Sequence, residues 1–105
     1  MNDSEFKALS EKVLTRIEQG LEAAATDLDF SRTDDGVLEI ELPEAHTVIV
    51  NRHAASQELW VAARTGAHHY RWDGEHWRNT RDQCELFAQL SALLSGLSGE
   101  NIRLH

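Results

Sequence analysis

Glu11, Glu18 and Glu22 are spaced by seven and four residues. On a helix that spacing puts three carboxylates on one stripe. Two like charges about 6 Å apart in water repel by roughly 0.7 kcal/mol, and a bound cation or a basic partner relieves that cost. The stripe offers only oxygen donors. No His-x-x-x-His, Glu-x-x-His or paired-cysteine spacing closes a ligand set around it. A metal held there would be held weakly and with little selectivity.

The other reactive residue types point away from catalysis. Cys84 is the lone cysteine. It is expected in the first turn of a second helix, where a thiol pKa is lowered, but no positioned base or oxyanion site accompanies it. Neither a Gly-rich phosphate loop nor a serine elbow occurs. Of the six histidines, His68 and His69 are adjacent and would face opposite sides of a strand. His46, His53, His76 and His105 are scattered. The expectation is a protein that is not an enzyme.

The elements that must position these groups follow from periodicity. Phe6, Leu9, Val13, Ile17 and Leu21 define one face of a first helix running to about residue 25. Asn2 with Glu5 forms its capping box. Asp27–Thr33 reads as a strand. Asp34-Asp35-Gly36 then signals a hairpin turn. In Val37–Leu42, Leu38, Ile40 and Leu42 alternate with outward Glu39 and Glu41. Thr47–Asn51, Leu59–Ala63, His68–Trp72 and Glu75–Asn79 continue the strands, with Asp73-Gly74 as a second hairpin turn. Asp82 and Glu85 form a capping box before a helix carrying Leu86, Phe87, Leu90, Leu93, Leu94 and Leu97, stopped by Gly96 and Gly99. Ile102 and Leu104 form a short strand or a tail lying modestly over the core. Helix, five or six strands, helix predicts an α+β two-layer sandwich. Both helices would pack on one face of an antiparallel sheet, in a single domain over 1–105. Strand parity then turns Trp60 and His69 to the open face, with Asn51 and Arg52 at the end of a neighbouring strand joining the patch. Trp and Arg dominate binding hot spots.

Charge narrows the partners. Residues 1–44 carry twelve acids against four basic residues, whereas residues 45–105 carry six acids and six arginines, so the net −8 sits in the first half. That field disfavours a nucleic-acid backbone or an anionic membrane. No apolar run spans a bilayer. The acidic opening does not read as a leader peptide, and one cysteine fits a reducing compartment. The expected location is the cytoplasm.

Several blocks together resemble the frataxin family. They are Asn51-Arg52, Leu59-Trp60-Val61-Ala62, Gly66, Tyr70, and Asp73-Gly74-Glu75-His76-Trp77, and the opening Met1–Phe6 resembles that of bacterial members. His53 stands where Gln is usual, and Gln19, Ala23, Ala25, Ser31 and Thr33 stand where acids are often found. The resemblance implies an α+β sandwich and an iron-binding regulator of iron–sulfur cluster assembly. It implies that an acidic ridge docks on the cysteine desulfurase and that the sheet face contacts the cluster scaffold protein. Asp3, Glu18, Glu22, Asp27 and Asp29 match the family's ridge and its weak iron ligands (Fe2+/Fe3+), with Glu11 beside them on the stripe. Asn51, Arg52 and Trp60 match the sheet contact, and His69 joins it by parity. A monomer that oligomerises with excess iron is the expected state. The alternatives are an iron store or ferroxidase, which needs clustered sites, and a small acidic secretion-type chaperone, which dimerises through an apolar helix face.

Overall fold

The computed structural model describes residues 1–24, 28–33 and 36–104. Helix α1 (Asp3–Ala23) begins where the Asn2 side chain accepts the Glu5 backbone N–H at 2.8 Å. That satisfies one of the donors a helix N-terminus leaves open. Phe6, Val13, Leu14, Ile17 and Leu21 are buried along its inner stripe. Six strands follow among the described residues: β1 (Asp29–Arg32), β2 (Val37–Leu42), β3 (His46–His53), β4 (Glu58–Ala63), β5 (Gly66–Trp72) and β6 (Trp77–Asn79). Each pairs antiparallel with the next, so the sheet is a simple meander. Helix α2 (Leu86–Ser98) returns over the same face as α1, and the two-layer α+β sandwich expected from the sequence is observed.

Leu38, Ile40 and Leu42 lie buried while Glu39 and Glu41 are exposed, as their alternation predicts. The inner row continues through Val48, Val50, Leu59, Val61, Tyr70 and Trp77 to meet both helices. Phe6 meets Trp77 edge-to-face at 6.2 Å, closing one end of the core.

Three local expectations are corrected. Glu85, not Asp82, caps α2: its carboxylate accepts the N–H groups of Phe87 and Ala88. Asp82 instead accepts the Cys84 N–H, so Cys84 precedes the helix rather than opening it. Gly96 lies within α2, which ends only at Gly99. The tail is also more deeply seated than expected, with Ile102 2% and Leu104 4% exposed. Ser95 Oγ accepts the Ile102 N–H and donates to its carbonyl, and Ser91 Oγ accepts the Leu104 N–H. Leu104 lies so close to Gly20 that a Cβ there would come within 2.8 Å of its side chain. The predicted Asp34-Asp35 turn, the Ala25 end of the first helix, Asp27 and His105 lie outside the described residues.

Candidate interaction surfaces

The acidic candidates divide into two groups. On α1, Glu11 and Glu18 face arginines from the sheet. Arg32 of β1 donates from Nη1 to Glu18 Oε1 at 2.8 Å and to Thr15 Oγ1 at 2.9 Å, and from Nη2 to Glu11 Oε2. Arg52 of β3 donates from Nη1 to Glu11 Oε1 at 2.7 Å. Both guanidinium groups are largely covered, so these pairs are not simple surface ion pairs. Arg52, with Arg32 beside it, holds the Glu11 carboxyl below its ordinary range against the opposing effect of desolvation.

Arg52 therefore does not join the open face. Its cross-strand partner is the buried Leu59, and neighbouring residues on a strand alternate sides. Asn51 faces outward and Arg52 faces α1. Gly36, just before β2, lies against it: a Cβ there, at φ +77°, would come within 2.8 Å of the guanidinium.

The second group makes no ion pair among the described residues. Glu22 and Asp3 are exposed on α1. Asp29 stands directly opposite Glu41 across β1 and β2, and Glu39 stands opposite Ser31. All four strand positions are exposed on the open side of the sheet. Like charges directly opposite on neighbouring strands repel. Glu39 and Glu41 were absent from the expected ridge, although their alternation marked them as outward. The missing information was the register that sets Glu41 against Asp29. No group of three or more His, Cys, Asp or Glu among the described residues is arranged to hold a metal.

The centre of the open face is built around Trp60. Asn51, Trp60 and His69 form one cross-strand row. The indole is stacked between two imidazoles, His53 at 4.0 Å and 11° and His69 at 4.5 Å and 10°. Its Nε1–H donates to Glu58 Oε1 at 2.9 Å. Glu58 is 7% exposed, although it sits on the open side. It also accepts Ser56 Oγ–H at 3.1 Å and Arg71 Nε–H at 2.9 Å. His69 Nδ1 lies 3.8 Å from it. Burial pushes the Glu58 carboxyl up, but the hydrogen bonds from Trp60, Arg71 and Ser56 outweigh it and leave the group lowered. His53 completes the circuit with Nδ1 at 2.7 Å from Ser56 Oγ. His53 and Glu58 carried no site assignment from sequence. The signal was the β3–β4 register, which pairs His53 with Glu58 and Asn51 with Trp60.

A groove of about 1090 Å³ runs between α1, α2 and the tail, lined in part by Lys12, Arg16, Phe87 and Trp72. It lies on the helix side, away from the Trp60 face. Cys84 is exposed, and the Asp82 carboxylate beside it pushes its thiol pKa up rather than down. A reactive thiolate is thereby disfavoured. No helix among the described residues is long and apolar enough to cross a membrane.

Comparisons with known proteins agree with this geometry. The chain is 54% identical over 104 residues to the iron-sulfur cluster assembly protein CyaY of Dechloromonas aromatica, covering 99% of both chains. It is 47% identical to the protein of the same name from Herminiimonas arsenicoxydans, covering 99% of this chain and 96% of that one. A solved frataxin from Psychromonas ingrahamii superposes with a TM-score of 0.93 at 29% identity, covering 98% of this chain and 97% of the other. The frataxin-like domain model matches residues 1–100, and the chain belongs to the frataxin-like family.

Proposed function

We propose that this protein takes part in iron–sulfur cluster assembly as a non-enzymatic, cytoplasmic regulator, working as one domain over its whole length. Full-length similarity to relatives named for that role supports the pathway. The desulfurase meets an acidic ridge and the scaffold protein meets the Trp60 face. The ridge consists of Asp3, Glu22, Asp27 and Asp29, extended by Glu39 and Glu41. Glu11 and Glu18 belong to the frame beneath it, because their charges are already answered by Arg32 and Arg52. The observation that carries this reading is the opposed pair Asp29 and Glu41, two exposed like charges that make no ion pair among the described residues. A basic surface relieves their repulsion, accelerates encounter and orients the complex.

Iron is the cargo in this reading, held weakly at the same carboxylates. The donor set fits loose binding only: it is all oxygen, and its described members are exposed and not gathered, among the described residues, into a closed site. Such a ridge exchanges iron readily, whereas storage needs clustered ligands.

Cluster assembly on purified scaffold protein, with desulfurase, cysteine and ferrous iron, tests the proposal. A dose-dependent change in rate that is lost in a Glu22→Lys/Glu41→Lys variant supports it. No change in rate at saturating protein, with no desulfurase binding, refutes it.

A further inference from the structure

Trp60 is boxed in to a degree that limits how any partner can touch it. Both faces of the indole carry an imidazole, and its one polar atom is occupied by Glu58. A partner cannot stack on it or accept its N–H without dismantling the cluster. Only the rim of the ring remains. We propose that His53 and His69 are positioning residues: they clamp Trp60 as a fixed blade, and the scaffold-side contact is a narrow apolar slot that receives the rim of the indole.

The clamp is built from separate strands. His53 is on β3, Trp60 on β4 and His69 on β5. Free of the clamp, an indole standing on a sheet surface has other staggered rotamers available. Freezing them before binding removes an entropic cost from association. Glu58 locks the remaining rotation at the indole edge, and Ser56 ties His53 to the same carboxylate. The slot need offer no acceptor to the N–H.

This inference rests on the reading of the Trp60 face as the scaffold contact, and the experiment separates the two. Scaffold-protein affinity is measured by titration for wild type, Trp60→Ala, His53→Ala, His69→Ala, His53→Phe and His69→Phe. The Trp60 indole N–H resonance is followed in each by NMR, and urea midpoints report the fold. Each alanine is expected to weaken binding by about two- to tenfold, the range of one stacked aromatic pair, and to shift and broaden the indole resonance. Phenylalanine, which restores a flat ring, is expected to recover both. Alanine variants that bind and resonate like wild type overturn the clamp. So do phenylalanine variants as weak as alanine, since the imidazoles would then touch the partner directly. Should an alanine variant lose its fold, leucine, apolar but not planar, takes its place. Unaltered affinity in Trp60→Ala overturns the face assignment itself.

Discussion

Glu11 and Glu18 are held by arginines, whereas Glu22, Asp29, Glu39 and Glu41 have no cation beside them among the described residues. All six belong to the same acidic half of the chain. The first two pin α1 to β1 and β3, so their charge serves the interior of the molecule. The others keep their field outside, at a cost in self-repulsion. Composition alone treats the six as equals. Position relative to Arg32 and Arg52 separates architecture from recognition.

The largest expected effect comes from inverting a frame acid. Glu11→Lys sets a cation against both Arg32 and Arg52 and should lower stability by about 2–4 kcal/mol in urea unfolding. A change below half a kilocalorie would erase the distinction. Gly36→Ala attacks the same frame from the residue that lies against Arg52, and should cost about 1–2 kcal/mol through its positive φ and the crowding of the guanidinium. Tyr70 offers a contrast from the core. Burial raises its phenol to about 12, so the stability it contributes is complete below its ordinary pKa near 10 and drains away as pH climbs through 12. Tyr70→Phe should flatten the stability profile over that alkaline window. At the acid end the sign reverses. Glu11 is lowered, so its contribution is present above the ordinary carboxylate range and is lost as pH falls below it. Glu11→Gln should remove that acid dependence, whereas Glu41→Gln should leave it in place. The smallest effect belongs to the ridge. Glu41→Gln relieves the repulsion with Asp29 and should raise stability by about 0.2–0.7 kcal/mol while weakening desulfurase binding. A loss of stability there would show that Glu41 belongs to the frame.

Much of the fold was legible because its signals are local. Alternation set the faces of β2, and the three-to-four spacing of apolar residues set the buried stripe of α1. The site was only partly legible. Trp60 and His69 turned outward as parity required. Arg52 was misassigned to the same patch, although the same parity puts it opposite Asn51. The Glu11–Arg52 and Glu18–Arg32 pairs span 41 and 14 residues, and no spacing rule links them. They depend on which flank of α1 lies over which strand. The His53–Trp60–His69 stack required register, which turns and burial fix jointly. Cys84 was misjudged because Asp82 serves the chain just before the helix, leaving the cap to Glu85.

The seating of the tail also has a kinetic meaning. Its seat is made of Ser91 and Ser95 on α2 and the notch at Gly20 on α1. That seat exists only once both helices have docked on the sheet, so residues 100–104 are expected to arrive late in folding and leave early in unfolding. Amide exchange at Ile102 and Leu104 would then proceed through local opening, at a lower free energy than exchange from the central strands. Protection at Ile102 and Leu104 equal to that of the central strands would instead show that the tail opens only with the whole fold.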